Sequence, residues 1–166
     1  ERGTLDLSKA LIQKGHEAFV ISGGGSLVNE LEKLGATHFE IPVHIKSLRS
    51  LFLAKELSEK ILSVDPDIVH VRSRMPAWVN YISFKRLQNK PVLVSTFHGL
   101  YSFPIYSKVM SFVDHTIAIS NTVESYIIQN YNLEKKGITI IPRGCDQNIF
   151  NNLPINPKEK DDLLNE

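Results

Sequence analysis

The sequence predicts a doubly wound α/β domain, with a mostly parallel, Rossmann-like sheet and helices on both faces. Short apolar runs rich in β-branched residues alternate with amphipathic stretches of roughly ten residues or more, and parallel strands require connections of this kind. The chain has 166 residues, which is enough for one domain with its own core. Its hydrophobic content of 42% and charged content of 22% are typical of soluble globular proteins.

The first half of the chain contains three predicted helices and three predicted strands. Gly15 and Gly35 follow the first two helices, and glycine is favoured just beyond a helix end. Residues 65–67 (Asp-Pro-Asp) predict a turn before the third strand. In chain order we expect a helix over 4–14, a strand over 17–21, a helix over 26–34 with Ser26 as its N-cap, a strand over 39–43, a helix over 47–64 and a strand over 68–71.

The alternation continues in the second half. We expect a helix from Pro76, at a first helical position, to Leu87, a strand over 92–97, a short apolar helix over 105–112, a strand over 115–119, a helix from the cap Asn121 to about Tyr131, and a strand over 138–141. In the short helix, Ile105, Val109 and Phe112 have helical spacing, which predicts a buried stripe.

The two ends of the chain predict a missing strand and a tail. A helix that opens at Thr4 should follow a strand, so we expect that strand to be absent and a gap to separate the strands at Phe19 and Ile68. Residues 151–166 turn to Asn, Pro, Lys and Asp without periodicity. We therefore expect one domain over residues 1–150, followed by a linker or frayed tail.

Composition excludes several function classes. A net charge of +1 is too close to neutral to favour nucleic acid as a partner. Cys145 is the only cysteine, so no disulfide within the chain and no cysteine-based zinc site is expected. No apolar run approaches the roughly 20 residues that a membrane span requires, and residues 1–6 lack the apolar core of a signal peptide. A reducing, cytoplasmic setting fits best, and we expect neither a metal nor a cofactor.

Candidate ligand-binding residues follow the predicted strands. The carboxyl ends of parallel strands share one edge of the sheet, where ligands bind. This edge is expected to gather glycines, arginines, hydroxyls and a histidine, which suit an anionic, hydroxyl-rich ligand such as a phosphorylated sugar. The candidates are Gly23, Gly24 and Gly25, Arg72, Ser73 and Arg74, His98 and Gly99, Ser120, and Arg143 and Gly144.

Several of these signals have a structural alternative. The run 23–25 matches neither dinucleotide nor phosphate-loop spacing, so a generic turn explains it as well as a ligand cradle does. A histidine at a strand end, such as His98, is often satisfied locally, and His70, inside a strand, is expected to be structural. Trp78 lies on an apolar helix face and is expected in the core. Cys145 is expected to be a small buried group and not a nucleophile.

Five motifs in order carry a resemblance to a known family. They are residues 1–7 (ERGTLDL), 67–74 (DIVHVRSR), 96–99 (TFHG), 118–120 (AIS) and 141–146 (IPRGCD). Together they resemble the N-terminal, acceptor-side half of a GT-B glycosyltransferase of the retaining family 4 type, over nearly all of the chain to about Phe150. Bacterial members of this family often build lipopolysaccharide and other surface glycans.

The resemblance implies roles for these residues. His98 would be the catalytic residue beside the transferred sugar, with Glu1, Arg2 and Gly3 on the phosphate side. Residues that would bind substrate are Arg72, Ser73, Arg74, Gly99, Ser120, Arg143 and Gly144. The family's donor-binding domain, with its E-x7-E signature, is absent from this sequence, so the chain alone would be inactive. Its partners would be a nucleotide-sugar donor, held mainly by the absent domain, and a glycan or lipid-linked acceptor.

Two alternative functions remain open, as does a membrane contact. The chain would also suit half of a non-enzymatic two-lobed sugar-binding protein, or part of a GT-B-shaped nucleotide-sugar epimerase. The segment after His98 is aromatic, and Tyr101, Phe103 and Tyr106 could form an apolar lip for a lipid-linked acceptor or for an anionic membrane. In that case the protein would act peripherally at the inner face of the membrane.

Overall fold

A computed structural model of the chain describes residues 2–102 and 104–144, except for the side chains of Leu48 and Pro104. The first half contains α1 (Arg2–Gln13), β1 (Phe19–Ser22), α2 (Val28–Lys33), β2 (Thr37–Glu40), a 3₁₀ segment (Leu48–Leu53), α3 (Ala54–Val64) and β3 (Ile68–Val71). The second half contains α4 (Arg74–Phe84), β4 (Val92–Phe97), α5 (Pro104–Ser107), a 3₁₀ segment (Lys108–Ser111), β5 (His115–Ala118), α6 (Asn121–Tyr131), a 3₁₀ turn (Lys135–Gly137) and β6 (Ile138–Ile140). The predicted fold class is confirmed: parallel strands alternate with helices along the chain.

The strands form two parallel sheets. β1 pairs with β2, and β3, β4, β5 and β6 form a four-stranded sheet in that order. Every strand pair is parallel. Within the described residues no ladder joins β1 to β3, which confirms the predicted gap between these two strands.

The two faces of the four-stranded sheet differ in burial. Successive residues of a strand point to opposite faces. On one face Leu93, Phe97 and Ala118 belong to the main hydrophobic core, together with buried residues of α3, α4 and α6. On the other face Ile68 is 59% exposed and Val92, its partner in register, is 50% exposed. The core therefore lies on one side of this sheet.

Histidine–hydroxyl hydrogen bonds cross between neighbouring strands at three places. In each pair the hydroxyl lies two residues further toward the carboxyl end than the residue in register with the histidine. The pairs are His38 with Ser22 at 2.8 Å, His70 with Thr96 at 2.7 Å, and His115 with Thr139 at 2.8 Å. The bond between His70 and Thr96 supports the structural role predicted for His70.

Several predicted boundaries in the first half are wrong. Helix α2 begins at Val28, and Leu27, not Ser26, occupies the N-cap without a side-chain bond. The second strand covers 37–40 and not 39–43, because Ile41 and Val43 are buried in the core beyond the strand and gave the same apolar signal. The predicted helix over 47–64 is a 3₁₀ segment followed by α3.

The second half also contains corrections. Helix α4 begins two residues before Pro76, and Ser120 caps α6 by accepting a hydrogen bond from the Val123 N–H, the role predicted for Asn121. The apolar stripe over 105–112 is wrong at two positions: Val109 is 2% exposed, but Ile105 is 90% and Phe112 40% exposed. α5 lasts only four residues before a 3₁₀ segment with about three residues per turn, so α-helical spacing does not persist.

Candidate substrate site at the carboxyl ends of the strands

Two neighbouring strands bring the strongest candidates to one edge of the sheet. β3 and β4 pair in register through Val71 and Ser95, and they end next to each other. Arg72 follows β3 directly and His98 follows β4 directly. Both strands are β-branched runs that favour extended backbone, so local sequence fixes where these two side chains leave the sheet.

Arg72 is anchored against the first helix. Its Nη1 donates a hydrogen bond of 2.8 Å to the carbonyl oxygen of Gly3. A Cβ at Gly3 would lie 3.1 Å from Nη2 of Arg72, so a residue without a side chain allows this close approach. Burial and the positive charge of Arg143 lower the pKa of Arg72, whereas Asp6 raises it. Arg143, although exposed, is therefore close enough to act on Arg72 electrostatically.

His98 is held in its neutral form. Burial, together with the positive charges of Arg72 and Arg143, lowers its pKa to about 4. Its Nδ1 is buried and has no hydrogen-bond partner among the described residues. At neutral pH the candidate site thus presents an uncharged imidazole within the electrostatic influence of two guanidinium groups.

His70 lies behind this pair and is also neutral. Burial, together with smaller contributions from Arg72 and His98, lowers its pKa to about 4. Its Nε2 is hydrogen-bonded to Thr96 Oγ1, so this ring nitrogen already has a partner within the sheet. His70 is therefore an uncharged residue that links β3 to β4.

The backbone after His98 folds back on itself. The His98 N–H donates to the hydroxyl oxygen of Tyr101 at 3.4 Å, and the Tyr101 ring packs on Phe97 with a centroid distance of 5.3 Å. Tyr126, on α6, donates its hydroxyl hydrogen to the Tyr101 carbonyl. Tyr101 thus links the turn at His98 to the core.

Arg74 lies between two aromatic rings. Its guanidinium carbon is 5.0 Å from the ring centroid of Tyr101 and 5.3 Å from that of Tyr106. Its Nη1 also donates to Ser107 Oγ at 3.4 Å. The contacts of Arg74 are therefore with the segment that follows His98.

The remaining predicted site residues have mixed surroundings. Ser120 Oγ is occupied by capping α6, and Arg2 forms ion pairs with Glu30 (3.1 Å) and Asp6 (3.9 Å). Ser73 lies at the N-cap of α4 without a capping bond, and Gly144 is exposed. Gly99 has open space where a Cβ would be. Glu1, Phe103 and Cys145 lie outside the described residues.

The glycine loop after β1 packs against the protein itself. Gly24 N–H donates to Ser22 Oγ at 3.3 Å, and that hydroxyl also bonds His38. A Cβ at Gly23 would overlap the imidazole of His44, and one at Gly24 would lie 3.4 Å from a carboxylate oxygen of Glu40. These contacts favour the turn over the ligand cradle, the two alternatives that the sequence left open.

Sequence reasoning missed the supporting tyrosines. Tyr126 was assigned only to a helix, and Tyr101 and Tyr106 only to an exposed lip, yet both lip tyrosines are partly buried. The indole N–H of Trp78 donates to the Tyr106 carbonyl at 2.9 Å, so this residue also secures the segment. The many aromatic residues over 97–106 were the signal available in the sequence. Their hydrogen-bond partners could not be predicted, because Trp78 lies on α4 and Tyr126 on α6.

The described residues contain no group of three metal-ligating side chains and no helix that is both long and apolar enough to cross a membrane. An open cavity of about 490 Å³ lies at the opposite, amino end of β4, between Phe84, Lys90, Val92 and Phe112. It is separate from the site at the carboxyl ends.

The order of these elements matches a known family. The model of Glycosyltransferase Family 4 matches residues 1–148. The chain belongs to Glycosyltransferase Family 4. A search of the curated proteins finds no significant match.

Solved structures agree with this family assignment. A glycosyltransferase from Rickettsia africae is 34% identical, with a TM-score of 0.78 over 99% of this chain and 44% of its own. Two others share the fold: Anabaena Alr3699/HepE in complex with UDP and glucose (15% identity, TM-score 0.69, 98% of this chain and 46% of its own), and the lipopolysaccharide outer core galactosyltransferase WaaB (14%, 0.68, 87% and 43%). The family 4 chain therefore spans less than half the length of these structures.

Proposed function

We propose that this chain is the acceptor-binding half of an enzyme that transfers a sugar from a nucleotide-sugar donor to a glycan acceptor. The observation that carries the proposal is a neutral His98, with a buried and unpartnered Nδ1, next to Arg72 and Arg143. Family membership supports the reaction class, and the similar HepE structure contains UDP and glucose. Family membership favours transfer over the sugar-binding and epimerase alternatives, whereas the fold alone does not, since a UDP-N-acetylglucosamine 2-epimerase from Rickettsia bellii shares it (16% identity, TM-score 0.60).

The charges of the site suit the chemistry of sugar transfer. The sugar develops oxocarbenium character while a negatively charged diphosphate leaves, and fixed positive groups stabilise that charge without a metal. Arg72 and Arg143 would supply part of this stabilisation. Support for this pairing comes from the lowered pKa values of His98 and Arg72, to which the charge of Arg143 contributes.

His98 would act on a sugar hydroxyl. A neutral imidazole has one nitrogen that donates and one that accepts a hydrogen bond. The Nδ1 is buried without a partner in the free protein, so a turn of the imidazole that brings it to a ligand hydroxyl would recover a missing interaction. The open space at Gly99 leaves room for the ligand beside it.

The other half of the site would come from a second domain. The chain spans 44% of the similar Rickettsia africae structure, and the nucleotide-sugar would be held mainly by the part beyond it. Closure of two domains on a cleft can bring the acceptor hydroxyl into line with the reacting carbon. We therefore expect the chain alone to transfer no sugar and to bind a nucleotide-sugar weakly or not at all.

The acceptor would be a surface glycan of the lipopolysaccharide type or a lipid-linked precursor. Likeness to WaaB supports this class at the level of the fold. Ile105 is 90% exposed and Leu100 57%, with Lys108 close by in sequence, whereas Tyr101 and Tyr106 are partly buried. The apolar lip would therefore consist mainly of Leu100 and Ile105, at the inner, cytoplasmic face of a membrane.

The membrane contact has its own test. With the full-length protein, Ile105→Ser should weaken binding to vesicles that contain anionic phospholipid, because it removes the most exposed apolar side chain of the lip. Leu62→Ser is the matched control, since Leu62 is 60% exposed on α3. Equal binding by both variants and the unchanged protein would contradict the contact.

The reaction is tested with a panel of nucleotide-sugars. Full-length protein is incubated with UDP-, GDP- and ADP-sugars and a lipopolysaccharide acceptor, and release of nucleoside diphosphate is measured together with product mass. We expect one donor to give acceptor-dependent release and a product heavier by one sugar. Formation of an epimerised nucleotide-sugar, or tight calorimetric binding of the donor to the isolated chain, would contradict the proposal.

A further inference from the structure

The arginine that follows Arg72 by two positions makes a different set of contacts. Arg74 opens α4, and its guanidinium is packed between the rings of Tyr101 and Tyr106. Its hydrogen bond goes to Ser107, which is fully buried. Arg74 is absent from the causes that lower the pKa of His98, whereas Arg72 and Arg143 are among them.

Tyr101 and Tyr106 also form hydrogen bonds with residues other than Arg74. The Tyr106 hydroxyl donates to Met75 Sδ at 3.6 Å, and the Tyr106 carbonyl accepts from the Trp78 indole. The Tyr101 carbonyl accepts from the Tyr126 hydroxyl. Arg74 therefore closes a cluster that connects α4 and α6 to the segment after β4.

This cluster reaches the backbone of His98. The Tyr101 hydroxyl oxygen accepts the N–H of His98, and its ring lies on Phe97, the last residue of β4. A cation over an aromatic ring contributes about 0.5–2 kcal/mol, depending on how far it is desolvated. Two such contacts on one guanidinium are enough to restrict the tyrosine that supports His98.

We propose that Arg74 is a positioning residue: it holds Tyr101 and Tyr106, and through Tyr101 it fixes the turn that presents His98. The inference rests on the proposed role of His98 in sugar transfer. This role differs from the substrate-binding role that the resemblance implied for Arg74, because the guanidinium already contacts two rings and a buried hydroxyl. Arg72 keeps the electrostatic role.

The backbone of His98 gives a readout that does not depend on activity. In full-length protein labelled with ¹⁵N-histidine, Arg74→Met should accelerate amide hydrogen exchange at His98 by about fivefold or more, because the supporting acceptor becomes mobile. Tyr101→Phe, which removes that acceptor, should give a similar acceleration. Arg86→Met, just beyond the carboxyl end of α4 and exposed, is the matched control and should change nothing. An unchanged exchange rate in Arg74→Met would overturn the proposal.

Kinetics separate positioning from general stability. Arg74→Met should lower kcat by about tenfold with the donor KM unchanged, and Arg74→Lys should recover part of the loss because an ammonium retains the cation–π contact. Combining Arg74→Met with Tyr101→Phe should cost less than the product of the two single effects. A raised donor KM with normal kcat would assign Arg74 to substrate binding and overturn the inference. If His98→Ala is fully active while exchange still responds to Arg74→Met, the proposed function fails and the positioning of the turn stands.

Discussion

Two loops at the carboxyl ends of strands carry similar sequence signals but differ in how their polar groups are satisfied. After β1, Ser22 bonds both His38 and the Gly24 N–H, and His44 fills the space beside Gly23. After β4, the Nδ1 of His98 is buried without a partner, and the space beside Gly99 is open. In the first loop the polar side chains are satisfied within the protein, although the Cβ position of Gly25 is open, whereas the second loop combines open space at Gly99 with a polar atom that has no partner.

The difference shows that glycines and histidines at a strand end are not sufficient to indicate a site. A buried polar atom without a partner costs about 1–3 kcal/mol, and native proteins retain few of them. That cost can be offset by a ligand only where there is room and a suitable charge. The loop at His98 has open space at Gly99, and the positive charges of Arg72 and Arg143 act on its imidazole.

The largest expected effect contrasts His98 with His44, which follows β2 and packs beside Gly23 of the first loop. His98→Ala in the full-length enzyme should lower kcat by about a hundredfold, the usual loss for one positioned polar group, with the fold intact. His44→Ala should change kcat by less than about twofold, since His44 fills space beside a turn. Steady-state kinetics and the thermal midpoint check both variants. Full activity with a large loss of stability in His98→Ala would show that His98 is structural.

A smaller effect is expected when the positive charge of Arg72 is removed from the His98 loop. Arg72→Met should weaken binding of UDP by about tenfold and raise the pKa of His98, because a positive charge that disfavours the imidazolium is removed. Arg72→Lys should keep most of the effect on the pKa but lose bidentate contact with phosphate. Calorimetry and histidine NMR are the measurements. Arg86→Met, at an exposed position beyond α4, is the control for the pKa, and an equal shift in both variants would contradict the role of Arg72.

The smallest expected effect is a difference in stability between alanine substitutions at Gly24 and at Gly99. Gly24 has a φ of +81°, so Gly24→Ala should cost about 1–2 kcal/mol of unfolding free energy, with kcat unchanged. Gly99 is not among the glycines with positive φ and a Cβ there meets nothing, so Gly99→Ala should leave stability within about 0.5 kcal/mol. Denaturant unfolding gives both values. The opposite outcome, in which Gly99→Ala is the less stable variant, would break the comparison.

Local sequence was sufficient for the strands that position the site. β3 and β4 were predicted with their observed bounds, because their β-branched runs are short and bounded by turn residues. The positions of Arg72 and His98 at one edge followed from parallel pairing. The contacts of Arg74 did not follow, because Tyr101 and Tyr106 belong to another segment that only tertiary packing brings there. Ile105 was misassigned because helical spacing has no meaning in a helix of four residues.

The neutral state of His98 was also beyond sequence reasoning. Its lowered pKa depends on burial and on two arginines, one of which follows β6 far along the chain. A strand-end histidine has the same sequence signal whether its ring is charged or neutral. The geometry is needed to distinguish the two states.

The central claim, that His98 is a neutral group beside fixed positive charges in an anion-binding site, is tested most directly by its NMR titration. The C2 proton of His98, assigned by its loss in His98→Ala, is followed against pH in the full-length protein with and without UDP. We expect a pKa of about 4 in the free protein and a higher pKa with UDP bound, because the added negative charge offsets Arg72 and Arg143. A pKa near 6.5 that does not respond to UDP would contradict the claim.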